Sequence, residues 1–231
     1  MVVFADRVDA GRQLAHKLTW LRGRDVVVLG LPRGGVLVAA EVARALDAPL
    51  DVIVVRKLGL PGQPELAMGA IGEEGARVLD TELLGQAGVC EGELLAVERR
   101  EREVLDARVA LLRRGRQHID LRGRTALIVD DGLATGSTAR AACQVARRLG
   151  AARVIMAVPV APATTVRNLR EADTVVCAWV PDRFLAVGVH YRDFTPTGED
   201  EVIAQLDAAE RRIRDRAADR ATRECATGRD A

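Results

Sequence analysis

The chain has 231 residues, of which 48% are hydrophobic and only 3% aromatic, with a formal net charge of +1. One sizeable core built from Val, Leu, Ala and Ile is therefore possible, and the near-neutral balance excludes a broad polyanion-binding surface while allowing local cationic pockets. No apolar run approaches the roughly 20 residues a membrane-spanning helix needs. The start MVVFADRVDAGRQLAH mixes acids into its pattern, unlike a signal peptide. Cys90, Cys143, Cys177 and Cys225 lie far apart, with no pairing or metal spacing, so reduced thiols and a cytoplasmic location are expected.

Short β-branched runs alternate with helical patterns. The first run, 26–29, leads through Gly30-Leu31-Pro32-Arg33-Gly34-Gly35 into a helix over 36–46. Pro32 stands where a dinucleotide fingerprint needs its second glycine, so that motif fails. What remains is a tight turn into a helix with one cation, Arg33. It suits an anion, or is a plain strand–helix turn. The second run, 50–55, is followed directly by Arg56 and Lys57. Lys57 is one of only two lysines, with Lys17, in a chain whose cations are otherwise Arg.

Residues 58–75 carry five glycines and two prolines, which looks too broken for a regular element and long enough for a mobile flap. A long charged helix is predicted over 91–116, with Val97, Val104 and Leu111 in one stripe, Leu105 and Leu112 widening it, and Glu98–Arg102 as a favourable pair. Six acids face seven bases there, and the same counts hold over 207–231. Both segments read as solvated faces, and no nucleic-acid contact is expected.

A third strand over 125–129 ends in Asp130-Asp131, and Gly132 to Ser137 then turn into a helix over 138–149. Backbone N–H groups at that helix start, with the Thr135, Ser137 and Thr138 hydroxyls, form a phosphate cradle that Gly136 allows to be approached closely. It is no nucleotide P-loop, which requires a Lys. Strands over 154–158 and 174–179, with a helix over 163–171 between them, complete the alternation. Cys177 and Trp179 read as core residues. A further charged helix is predicted over 199–224. Continuous apolar strands alternating with helices imply an α/β fold: a doubly wound, mostly parallel sheet of about five strands.

An acid pair beside a phosphate cradle, with cations at two other strand ends, suggests a phosphorylated sugar carrying a second anionic group. The stretch VDDGLATGST resembles the phosphoribosyl-pyrophosphate (PRPP) motif of type I phosphoribosyltransferases, and the order of elements over 1–206 is similar. The start Phe4-x-Asp6-Arg7…Ala10-Gly11 resembles bacterial members of undefined base specificity. The resemblance implies a domain over 1–206 with a flap (58–75), an inserted helix (91–116) and a hood (180–196), then a charged tail (207–231). It implies that Asp130 and Asp131 hold ribose hydroxyls and that Ala134, Thr135, Gly136, Ser137 and Thr138 bind the 5′-phosphate. Arg33 and Gly34 form the pyrophosphate loop, and Lys57, with Arg56, binds the leaving pyrophosphate. Phe184 stacks on or walls off the base.

Asp182, beside Phe184, and Glu65, in the flap, are the carboxylates that could polarise an acceptor N–H, although a surface acid is the plainer reading of either. Magnesium is the implied cofactor, held mainly through PRPP and water, and a homodimer is the expected assembly. Hypoxanthine–guanine enzymes carry an acid where this chain has Ala134, and Glu171 stands near the place of their ring-oxygen Lys, so 6-oxopurines are disfavoured. A non-catalytic PRPP- or nucleotide-binding regulator is the alternative. Intact Arg33 and Lys57, with no helix-turn-helix pattern, favour the enzyme.

Overall fold

Strands with no polar face need cover on both sides, and the chain supplies it. The computed structural model describes residues 3–227, apart from the side chains of residues 65, 217 and 219–227. Five parallel strands, β1 (Val26–Gly30), β2 (Leu50–Val52), β6 (Thr125–Val129), β7 (Arg153–Val160) and β8 (Thr174–Trp179), form one sheet in the order β2-β1-β6-β7-β8. Alternate residues divide between two cores. Val26, Val28, Leu127, Val129, Ile155 and Ala157 meet helices α1 (Arg7–Lys17) and α2 (Gly34–Leu46) on one face. Val27, Leu29, Ala126, Ile128, Val154 and Met156 meet α5 (Ser137–Arg148) on the other. The period-2 alternation of a strand makes this partition.

The sheet grows outward in both directions from β1 and β6. Their C-terminal residues Gly30 and Val129 are direct partners, so the loops after both strands flank the point where strand order reverses. Ligand crevices in open α/β sheets lie at such points.

Four expectations need correction. The run 50–55 is not one strand: β2 ends at Val52, and β3 (Val55–Leu60) belongs to a separate antiparallel sheet with β4 (Gln63–Gly72) and β5 (Arg77–Leu79). The glycine-rich stretch 58–75 is therefore largely a regular hairpin. Its glycines allow close packing rather than break the strands: a Cβ on Gly72 would overlap the Val145 side chain of α5.

The inserted helix α4 (Glu91–Arg113) buries Leu94, Glu101, Leu105, Leu112 and Arg113, while Val104 and Leu111 stay more than 40% exposed. Its inward stripe is rotated from the predicted one because Glu101 and Arg113 have ionic partners underneath. Glu98 is held by Arg77 at 2.7 Å and lies 3.6 Å from Arg102. Finally, β8 is an edge strand, so Cys177 is half-buried and Trp179 is exposed.

The three-stranded antiparallel sheet is strapped to α4 at three points. Arg56 Nε and Nη2 donate to Glu101 Oε2 at 2.9 and 2.6 Å, Arg77 pairs with Glu98, and Arg102 Nη1 donates to the Gly72 carbonyl at 3.0 Å. The last helix, α7 (Glu199–Thr227), packs on the α2 side through Val202, Leu206 and Ala209. Cys90 is exposed and Cys143 buried, the latter with its thiol pushed up to about 12 by burial; the side chain of Cys225 lies outside the described residues. No helix among the described residues is long and apolar enough to cross a membrane.

Candidate active site at the sheet switch point

Two adjacent carboxylates at a strand end need compensation, and part of it comes from the far end of the sequence. Backbone hydrogen bonds from Phe4 N to the His190 carbonyl and from Arg192 N to the Phe4 carbonyl tie the N-terminus to the segment after β8. This brings α1 to the site, where Arg7 Nε donates to Asp131 Oδ2 at 2.8 Å. Arg7 is itself buried: its Nη1 donates to the Thr195 carbonyl at 2.8 Å, and its guanidinium lies 4.0 Å from the centre of the Phe194 ring. The Tyr191 hydroxyl donates to the Asp131 carbonyl at 2.5 Å, and burial holds that phenol protonated, with its pKa raised.

Arg7 compensates the pair only in part. Burial raises the Asp130 carboxyl well above the usual carboxylate range, and the neighbouring Asp131 charge raises it further. Burial also raises Asp131, against the downward pull of Arg7. Asp130 Oδ1 accepts from Asp131 N at 2.9 Å. Among the described residues Arg7 is the one cation that pairs with either carboxylate, and it reaches Asp131.

The glycines of the first loop make room for these acids. A Cβ on Gly34 would overlap the Asp131 carboxylate and press on Arg7, and one on Gly35 would stand 2.8 Å from Asp130 Cα and the Val129 carbonyl. Gly34→Ala should therefore push the Asp131 carboxylate off Arg7. Melting should show a loss of about 1–3 kcal/mol, the usual cost of overpacking. Arg7→Gln removes a hydrogen bond to a charged group, worth about 1.5–3 kcal/mol. Melting should show a loss of that size, with the fold retained by circular dichroism.

Gly136 is the N-cap of α5 at φ +79°, a conformation that favours glycine. Ala134, Thr135 and Thr138 are exposed around it, Thr135 Oγ1 and Ser137 Oγ lie 3.2 Å apart, and Thr165 Oγ1 fixes the Ala134 carbonyl at 2.7 Å. The first N–H groups of α5 have no intrahelical acceptor, so this turn presents donors and a positive dipole end.

Arg33 is exposed at the N-cap of α2, after a cis Pro32–Arg33 peptide. Lys57 borders two cavities, one shared with Pro32 and Thr138 and the other with Ser137. The structure thus brings Lys57 to the turn at the start of α5, while Arg56 is engaged by Glu101. Phe184 stacks on His190, with centroids 5.7 Å apart and planes at 22°, in a small cluster with Phe4 and Tyr191. Asp182 is exposed, and the Glu65 side chain lies outside the described residues. Glu171 lies 3.5 Å from Arg140 and borders the cavity of Lys57 and Ser137, not the hood. Among the described residues no three His, Cys, Asp or Glu converge as a metal-ligand set.

Arg7 and Tyr191 are the site residues that sequence reasoning missed. Arg7 stood in a quoted motif, but its partner is 124 positions away, and no local spacing connects them.

An open parallel sheet with an acid pair and a donor-rich helix start at its switch point is a ligand-binding α/β architecture. The chain belongs to the phosphoribosyl transferase domain family, whose model matches residues 6–191. Over 212 residues it is 57% identical to the Mycobacterium tuberculosis (strain H37Rv) protein named "Putative phosphoribosyl transferase Rv0571c"; the alignment covers 91% of this chain and 48% of that protein. The chain therefore spans about half the length of the curated relatives it matches. It is also similar to the crystal structure of TT1426 from Thermus thermophilus, at 45% identity and a TM-score of 0.83, covering 89% of this chain and 98% of that one.

Proposed function

We propose that this domain transfers the 5-phosphoribosyl group of PRPP to a nitrogenous acceptor and releases pyrophosphate. The observation that carries the reading is the Asp130–Asp131 pair, matched by the single cation Arg7, beside the donor-rich turn 134–138 at the sheet switch point. In this reading the two carboxylates accept from the ribose hydroxyls, and the N–H groups of 134–138 hold the 5′-phosphate. Arg33, Gly34 and Lys57 receive the pyrophosphate; Arg56, held by Glu101, adds charge behind Lys57.

Breaking the bond to the anomeric carbon makes the ribose cationic and the leaving group more anionic. Carboxylates on one side and cations on the other lower the energy of that separation. Magnesium fits the donor chemistry, since the acid pair is hard, oxygen-rich and short of positive charge. Asp130 and Asp131 would hold it there together with PRPP oxygens and water, and it would supply further charge neutralisation. The hairpin that includes Glu65 covers the sugar and excludes water, which would otherwise capture the cation. Phe184 walls the acceptor, and Asp182 or Glu65 polarises its N–H. Ala134 offers no carboxylate, which disfavours 6-oxopurines. We place the transferase unit at 1–206 and the charged extension at 207–231, in a cytoplasmic homodimer engaged in nucleotide salvage.

The test is to incubate the protein, magnesium and PRPP with a metabolite extract and search by mass for new ribotides together with pyrophosphate. At least one ribotide is expected. Tight PRPP binding with no ribotide from any acceptor would replace the enzyme by a PRPP-binding regulator.

A further inference from the structure

The two acids at the switch point each use one oxygen within the protein. Asp130 Oδ1 accepts from Asp131 N at 2.9 Å, and Asp131 Oδ2 accepts from Arg7 Nε at 2.8 Å. Among the described residues no donor meets Asp130 Oδ2 or Asp131 Oδ1. One oxygen of each carboxylate is therefore open, and an ionised carboxylate oxygen can only accept. A vicinal diol, with two adjacent O–H donors, matches that pair.

Arg7 decides which oxygen of Asp131 stays open. Neighbouring carboxylates repel, and Arg7 is the cation that holds Asp131 in place against that repulsion. The guanidinium itself has little freedom. Its Nη1 donates to the Thr195 carbonyl at 2.8 Å, and it lies 4.0 Å from the centre of the Phe194 ring. Phe194 packs on Tyr191, with centroids 4.9 Å apart, and Tyr191 packs on Phe4 at 5.3 Å. The chain has three Phe and one Tyr, and all four gather in this cluster, so a protein poor in aromatics places its rigid rings behind one cation. On the other side, a Cβ at Gly34 would overlap both Asp131 Oδ2 and Arg7 Nε; glycine leaves their contact its room.

We propose that Arg7 is a positioning residue for the sugar: by occupying Oδ2 of Asp131 it presents Oδ1, together with Oδ2 of Asp130, as a two-acceptor set for the vicinal diol of a 5-phosphorylated pentose. The inference rests on the phosphoribosyl reading above and adds to it a residue that acts through Asp131 rather than on the substrate. A planar fork seated on an aromatic face supplies this fixed geometry, and an ammonium does not.

The test compares two ligands by calorimetric titration at constant magnesium. One is ribose 5-phosphate; the other is tetrahydrofurfuryl phosphate, which keeps the ring and the phosphate but lacks the hydroxyls. The ratio of their affinities isolates the diol, because loss of the Arg7 charge changes phosphate binding alike in both arms. Wild type should prefer ribose 5-phosphate about 100-fold, the scale of two hydrogen bonds to charged acceptors. Arg7→Gln should lower that preference to about tenfold or less, with the fold retained by circular dichroism. Arg7→Lys, which keeps the charge without the fork, should recover only part of it. Phe194→Leu removes the ring beside the guanidinium and leaves Arg7 in place, so its preference should fall about two- to fivefold. That variant carries the test if Arg7→Gln does not fold. A preference equal to wild type in Arg7→Gln, or in Phe194→Leu where it stands alone, would overturn the positioning role, and so would full recovery in Arg7→Lys. Equal binding of the two ligands by wild type would instead overturn the sugar-binding role of the acid pair, so the two readings fail separately.

Discussion

Asp130→Asn is expected to cut phosphoribosyl transfer by at least about 10²–10³-fold, the scale on which preorganised electrostatic groups act, while raising the melting temperature at pH 7. The two effects share one cause. Burial and the adjacent Asp131 raise the Asp130 carboxyl well above its ordinary value, so the folded chain holds the ionised form at a cost. The unfolded chain loses this proton at lower pH, and the native state therefore loses stability as pH rises through the window between the two pKa values. That cost is complete above the raised folded value and absent below the ordinary carboxylate range.

Asparagine removes the charge and keeps an Oδ1 that can accept from Asp131 N, as Asp130 Oδ1 does at 2.9 Å. Melting curves across pH should show a gain at neutral pH, roughly 2–4 °C for each kcal/mol, that fades toward about pH 4. Wild-type turnover in this variant would remove Asp130 from the chemistry. A gain independent of pH would remove the electrostatic cause.

Arg113→Met should be the most damaging substitution for the fold. Arg113 ends α4 with its side chain only 9% exposed. It pairs with Glu73 through Nε and with Asp51 Oδ1 at 3.0 Å, and donates to the Val52 carbonyl at 3.3 Å. Burial opposes its charge, yet Glu73 and Asp51 outweigh that and hold its pKa up. The acids also have backbone duties: Asp51 accepts from Ile119 N at 2.9 Å, and Glu73 from Val54 N at 3.2 Å. One guanidinium thus joins the end of β2, the base of the hairpin and the end of α4. Methionine would leave two buried carboxylates without a cation, at a cost of about 3–5 kcal/mol. Calorimetric melting should register a fall of roughly 6–20 °C. A change of about one degree would show that the cluster contributes nothing net.

The sequence carried the parallel sheet because its strands are short apolar runs, and β1, β6 and β7 each lead into a helix. It also carried the acid pair and the turn into α5, because residues 130–138 are contiguous and chemically conspicuous. The hairpin was hidden for a physical reason. Glycine at 69 and 72 reads as a breaker, yet there it makes room for Val78, Leu79 and Val145 against the strand. The buried face of α4 was misjudged because apolarity alone ranks Val104 above Glu101, whereas Arg56 makes burial of Glu101 tolerable. Arg7 and Tyr191 escaped because their contacts with Asp131 cross the sequence from both ends. No periodicity encodes a contact of that span.

Backbone hydrogen exchange tests the central claim most directly, because the phosphate is assigned to main-chain N–H groups. With magnesium and saturating PRPP, amides of residues 134–138 should exchange more slowly than in the unliganded protein, and Asp130→Asn with Asp131→Asn should weaken that protection. Unchanged exchange over 134–138 at saturating PRPP would contradict the assignment of this turn to the sugar phosphate.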